Sequence, residues 1–238
     1  MRGSFALALL LVLAAACLLG LPHVLRADEV VDRIVVRIEN DIIVLSEVRE
    51  LAAYQQLVEG HAEPYDKLLS ELIEQWMVNS EAAAAHFPPA AESDVAREVG
   101  QIEGRFPSMD AYQQRLAELG ITPQTVRRIV AQQIYLARYL DYKFRPAVQV
   151  DDAAIEAYYK QELAPQLAAK NQPVPPLADV SEQIREVLVQ QGISARAEMW
   201  FDETKSRLKI EINTPPNAPV AQGPASAARP SDAPALAP

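Results

Sequence analysis

Cysteine occurs once in 238 residues, at Cys17, inside an apolar run near the start of the chain. If that run is removed, no thiol remains, which excludes a disulfide framework, a cysteine zinc site and a thiol nucleophile. Histidine is nearly as scarce: His23 lies in the same leading segment, and His61 and His86 have nothing at ligand spacing beside them. Exposed positions near helix ends account for both. Glycine is limited to eight residues, and the nearest approach to a phosphate-cradling loop, Gly100 and Gly104, falls inside a helical pattern without the Lys such a loop requires. ATP use is not expected. Clustered bases are missing as well: 22 Lys and Arg stand against 32 Asp and Glu, a net charge of −10, which disfavours nucleic acid and anionic lipid because their phosphates need grouped cations. Glu47, Glu71 and Glu74 belong to the acidic wet faces of helices, the background expected in such a chain, and not to a carboxylate pair. No catalytic residue, metal ligand or cofactor is predicted.

What is present begins with two atypical ends. Residues 1–27 contain Arg2, an unbroken small and apolar run from Phe5 to Leu21, then Pro22 and a short polar exit to Ala27. That order is a secretory signal peptide, with cleavage after Ala27 and export to the periplasm as the expectation. A retained anchor is the alternative, since about 17 apolar residues lie at the lower edge of a bilayer span. Ala14-Ala15-Ala16 before Cys17 weakly resembles a lipoprotein cleavage box, but its opening Leu is missing and Leu18-Leu19 follow. Loss of the segment would remove Arg2 and Arg26 and no acid, making the chain more negative by two. At the other end, residues 214–238 hold seven prolines among Ala, Gly, Ser and Asn, too little apolar area to offset the entropy of ordering, so a disordered tail is predicted.

Between these ends the chain reads as mainly α with a small antiparallel β-sheet. Val31, Ile34, Val36 and Ile38 form a β pattern, Asn40-Asp41 a turn, and Ile42-Ile43-Val44 a second arm. Ser46 is the expected cap of a helix striped by Val48, Leu51 and Ala52. A hairpin alone is barely stable in water, and the alternating Leu208, Ile210 and Ile212 supply the third strand it needs. A core helix with Leu68, Leu69, Leu72, Ile73, Trp76 and Met77 ends before Pro88-Pro89. Ser93 and Ser108 are expected to cap two short helices, the second stopped by Gly120. Thr122-Pro123 opens a long helix to about Phe144, and Asp151 another through Tyr158-Tyr159 and Leu163. Pro173 to Pro176 mark a linker. A last helix from Val180 carries Trp200 and Phe201 toward the core, and Gly192 inside it predicts a bend or a junction of two helices.

A leading segment, a hairpin VVDRIVVRIENDIIVLSEV, a run SMDAYQQRLAELGIT with Gly120, a long helix from Pro123 and a closing AEMWFDETKSRLKIEI together resemble, in order and spacing, the SurA-like periplasmic chaperones. The resemblance covers residues 30–144 and 180–213 of an expected domain over 28–213. It departs at Asp41, where the family's turn often has Gly. It departs more at 145–179, which is far too short for the parvulin-type prolyl isomerase domains that members commonly insert there, and which lacks a parvulin site's sequence. What the resemblance implies is the chaperone module without the isomerase.

The function expected is therefore an ATP-independent holdase for unfolded envelope or outer-membrane proteins, without cofactor, metal or nucleic acid. Such a protein must offer apolar and aromatic side chains in a groove and release clients by mass action. Candidate client contacts are Tyr54, Tyr112, Tyr139, Tyr158 and Tyr159, whose rings can face water or a partner; core packing is the competing role for each. Two alternatives stand beside it: a divergent peptidyl-prolyl isomerase, and a structural protein of the envelope held by Cys17 or an uncut signal.

Overall fold

The computed structural model describes residues 32–213; the leading segment with Cys17 and Ala27, Val31 of the hairpin pattern, and the Pro/Ala-rich run 214–238 lie outside them. The fold is mainly helical with one three-stranded antiparallel sheet, as the sequence pattern leads one to expect. Its elements are β1 (Ile34–Ile38), β2 (Asp41–Val44), α1 (Leu45–Val58), α2 (Tyr65–Ala84), α3 (Glu92–Glu103), α4 (Met109–Leu119), α5 (Pro123–Phe144), a 3₁₀ turn (Arg145–Ala147), α6 (Asp152–Tyr158), a π turn (Tyr159–Leu163), α7 (Ala164–Ala169), α8 (Leu177–Arg207) and β3 (Ile210–Ile212).

The sheet order is β2-β1-β3, so the last strand adds to the free edge of the first. Val36, Arg37 and Ile38 pair with Ile212, Glu211 and Ile210, and Asn213 N–H donates to the Val35 carbonyl at 2.8 Å. Between β1 and β2 the register shifts at Val35, a bulge that puts two residues of one strand against one of the other. This is why Val35 and Val36 are both fully buried, where strict alternation would expose one of them. The hairpin turns at Glu39-Asn40, one residue earlier than expected, and Asp41 is already the first residue of β2. Glu39 sits at φ 51°, a region costly for a side chain with a Cβ. Two bonds to Lys209 hold it there: Glu39 N–H donates to the Lys209 carbonyl at 3.1 Å, and Lys209 N–H donates to Glu39 Oε1 at 2.8 Å.

Three helix starts follow the sequence signals. Ser108 Oγ accepts from Ala111 N–H at 3.2 Å, Thr122 Oγ1 from Thr125 N–H at 3.1 Å with Pro123 first in the helix, and Asp151 Oδ1 from Ala154 N–H at 2.8 Å. Gly120, at φ 68°, ends α4 in the left-handed conformation. Two starts differ. β2 runs into α1 with Val44 as its cap residue, and because Val has no side-chain acceptor only half of a capping box forms, Val44 N–H donating to Glu47 Oε2 at 2.8 Å; Ser46 lies inside the first turn. α3 begins at Glu92 with Ala91 at its cap, so Ser93 is inside that helix too. α2 ends in a Schellman motif, His86 N–H donating to Ala83 O and Phe87 N–H to Ala82 O, with His86 at φ 53° where glycine usually stands.

Two main apolar clusters share α1. One joins Tyr54 and Leu57 to Val95, Val99 and Ile102 of α3, Tyr112 and Leu116 of α4, and Val126, Ile129 and Val130 of α5. The other lays the sheet over α1 and α2 through Val35, Val36, Ile38, Ile43, Leu51, Leu68, Leu69, Ile73 and Met77. Trp76 and Trp200 pack at its margin, half-buried, and Trp76 Nε1 donates to Asp41 Oδ2 at 2.9 Å. α8 is one continuous helix through Gly192, not a junction of two helices. The glycine serves close packing instead: a Cβ at this position would stand 2.6 Å from Val148 Cγ1. Val148 and α6 pack against α8, with Ile155 of α6 and Ile184 of α8 buried. Tyr159 of the π turn donates its hydroxyl to the Pro175 carbonyl at 2.7 Å, tying down the proline-rich link.

Candidate client-binding surface

The five tyrosines singled out from the sequence do not form one surface. Tyr54, Tyr112 and Tyr139 are core residues, 5%, 1% and 3% exposed. Tyr54 donates its hydroxyl to Gln133 Oε1 at 2.9 Å, and burial, with Glu98 adding, pushes that hydroxyl up to about 12. Tyr112 and Tyr139 are raised for the same main reason, Tyr139 also to about 12 with the Glu81 carboxylate contributing. The helix faces that carry these three rings turn inward, so each fills the competing role of core packing. Tyr158 and Tyr159 are half-buried at the α6 end, and the Tyr159 hydroxyl is committed to Pro175.

A different aromatic group reaches the surface. Tyr135, Tyr139 and Tyr142 lie at positions i, i+4 and i+7 of α5, which puts them on one helix face. The Schellman turn ending α2 swings Phe87 against that face. Its ring centroid stands 5.7 Å from Tyr135, 5.3 Å from Tyr139 in an edge-on contact, and 5.4 Å from Tyr142. Arg138 stacks 5.6 Å from the Phe87 centroid and donates to the Pro89 carbonyl at 3.0 Å, fixing the loop. Tyr139 forms the buried floor, Phe87 and Tyr135 are half-buried, and Tyr142 is 64% exposed. Beside them a groove of about 360 Å³ is lined by Phe87, Pro89, Ala90, Val95, Ala131 and Tyr135, with Glu92, Arg128 and Gln132 completing it. The spacing of the three α5 tyrosines was readable in the sequence; the arrival of Phe87 depends on a tertiary contact and was not.

A second apolar region follows α8. Leu140, Ile193, Ala197 and Phe201 line a groove of about 500 Å³ together with Glu74, Ser194, Glu198 and Asp202, where α8 crosses α5 and α2. Val187 and Met199 of the same helix are 40% and 63% exposed. Lys143 binds α5 to this area, its ammonium 5.0 Å from the Trp200 centroid and 5.5 Å from that of Phe144, and paired with Glu81. At the same end of α5, Arg145 grips Glu186 with both Nη atoms at 3.0 and 2.7 Å, which pushes the Glu186 carboxyl down to about 2, with Gln190 helping.

The acids and histidines considered from the sequence are dispersed. Glu47 is spent on the α1 start, Glu74 pairs with Lys205 at 2.6 Å, His61 contacts the Glu59 carbonyl, and His86 closes α2. Glu71 is held between Gln55 and Gln75, whose side-chain amides donate to it at 2.9 and 3.2 Å; burial raises its carboxyl above the ordinary glutamate range despite those two bonds. Gly100 lies within α3 and Gly104 caps its end. Among the described residues no three His, Cys, Asp or Glu side chains gather as metal ligands, and no helix is long and apolar enough to cross a membrane. No protein-family model and no curated protein matches the chain.

Proposed function

We propose that the protein is an ATP-independent holdase that keeps unfolded envelope proteins, above all outer-membrane β-barrel precursors, from aggregating in the periplasm. The observation that carries the reading is the aromatic cluster of Tyr135, Phe87 and Tyr142 beside a groove of mixed apolar and polar lining. Rings that are partly desolvated and braced from behind by Tyr139 and Arg138 lose little entropy when an apolar segment lies on them. Each such contact is weak, so a client exchanges freely and leaves by mass action without a nucleotide. The order of elements supports a kinship with SurA-like chaperones: hairpin, short capped helices, long helix, last helix, and a third strand returning to the first. The leading apolar segment supports export, and the acidic surface supports solubility while a greasy client is held.

The test is suppression of light scattering when a urea-unfolded barrel protein is diluted into buffer with and without the purified mature chain. Suppression at near-stoichiometric ratio, unchanged by ATP, is the expected result; undiminished aggregation overturns the proposal. A proline-limited refolding assay separates it from a prolyl isomerase, because a holdase leaves the slow phase unchanged or slower and an isomerase accelerates it.

A further inference from the structure

A cavity of about 240 Å³ lies between α1, α2 and α5, with Leu51, Leu72 and Ile129 as its apolar walls. Arg128 and Gln132 line both this cavity and the groove beside Phe87 and Tyr135, so the two form one trough along α5. Arg128 is already paired with Glu50. The polar groups left over are amides. Gln132 Nε2 donates to Asn79 Oδ1 at 2.6 Å, which leaves the Asn79 NH₂ group and Gln132 Oε1 without a partner. Turned the other way, the same two amides again leave one donor and one acceptor. Gln75 donates its NH₂ to Glu71 at 3.2 Å and keeps a free carbonyl oxygen.

One donor beside one acceptor is the complement of the N–H and C=O that a single residue of an extended chain presents to one side. Asn79 and Gln132 are both half-buried, where an unmet main-chain bond is costly and a completed one is worth more than in water. Gln132 and Tyr135 are three apart on α5, about 4.5 Å along the axis. An extended chain advances roughly 3.3 Å per residue, so a side chain one or two residues from the bonded one falls in the groove beside Phe87 and Tyr135. Main-chain groups are the same in every sequence, but in a folded protein they are already paired. An amide pair of this kind therefore accepts any unfolded segment and refuses a folded one.

We propose that the trough binds an extended stretch of unfolded polypeptide by its main chain, the Asn79–Gln132 amides bonding one residue's N–H and C=O while a neighbouring apolar side chain enters the Phe87–Tyr135 groove. This deepens the holdase reading and rests on it. The probe is a short labelled threonine peptide with one central phenylalanine to fix its register, N-methylated at one residue at a time and followed by fluorescence anisotropy with the purified chain. Methylation one or two residues from the phenylalanine should weaken binding roughly 2- to 12-fold, the worth of one hydrogen bond, and methylation farther away should not. Asn79→Ala/Gln132→Ala should bind the unmodified peptide more weakly and be indifferent to methylation. In the parent, which needs no variant to fold, the peptide should shift the side-chain NH₂ resonances of Asn79 and Gln132 and the ring resonances of Phe87 and Tyr135. Unmoved NH₂ resonances, or a methylation penalty equal in parent and double variant, overturns the proposal. If that is found while the parent still suppresses aggregation of a barrel protein, the holdase reading stands without this site; if the peptide binds as expected and aggregation proceeds unchecked, the peptide site stands and the holdase reading falls.

Discussion

Replacing Gly192 by alanine sets two known effects against each other at one atom. In the middle of a helix the change should stabilise by about 1 kcal/mol, through lower backbone entropy in the unfolded chain. In this fold the new methyl would stand 2.6 Å from Val148 Cγ1 and 3.2 Å from its Cγ2, and forcing a methyl into a filled site costs about 1–3 kcal/mol. The net expectation for Gly192→Ala is a loss of roughly 0–2 kcal/mol. Val148→Ala removes both clashing carbons and leaves only Cβ at 3.5 Å, an ordinary contact. Alone it should cost about 1 kcal/mol, since Val148 is half-buried. In the double variant the helix gain returns, so the cycle should show a favourable coupling of roughly 1–3 kcal/mol. Urea unfolding of the four proteins, followed by far-UV circular dichroism with equal slopes, measures it. A single Gly192→Ala that is more stable by about 1 kcal/mol, or a coupling indistinguishable from zero, would refute the claim that the glycine exists to admit Val148.

Other expectations are of the same kind. Thr122→Ala removes the cap of the long helix and should lower stability by about 1 kcal/mol in urea, with Thr122→Ser close to the parent. His86→Gly relieves a left-handed residue at the end of α2 and should raise stability by about 1 kcal/mol, provided the Phe87 contacts survive, which the ring chemical shifts report. Two carboxylates should tilt the pH dependence of stability in opposite senses. Glu71 has a raised native pKa, so the folded chain keeps its proton to higher pH than the unfolded chain, and stability from this group falls as pH rises from its unfolded value through its native one; Glu71→Gln should flatten that slope in urea melts. Glu186 has a depressed native pKa, so its contribution is present above the ordinary glutamate value and is lost as pH falls toward about 2; Glu186→Gln should remove that part of the acid limb.

Much of the fold was legible because its signals are local. Thr122-Pro123, Ser108 and Asp151 announce helix starts that the backbone adopts without help, and the alternation Leu208-Ile210-Ile212 could only be satisfied by a strand partner. What escaped was decided by neighbours. Ser46 looks like a cap, yet Glu47 reaches back to Val44 and the helix starts a residue before Ser46. Val35 is buried through a bulge that no alternation rule foresees. Gly192 is a close-packing residue because of Val148, which lies 44 positions earlier. The tyrosines show the limit best: spacing says which rings share a face, but whether that face meets the core or water depends on elements distant in the chain. Tyr139 and Tyr142 are three residues apart, one a floor and the other an open ring.

The most direct test of the client surface is the affinity of an unfolded barrel protein for the chain and for two single-site variants, read by fluorescence anisotropy of the labelled client. Tyr142→Ala removes one exposed ring of the aromatic cluster, and an aromatic contact of about 0.5–1.5 kcal/mol corresponds to roughly 2- to 12-fold weaker binding. Ile42→Ala, at a similarly exposed apolar residue on β2 away from the cluster, should leave affinity unchanged. Equal affinities for the parent and Tyr142→Ala, or a loss confined to Ile42→Ala, would contradict the account.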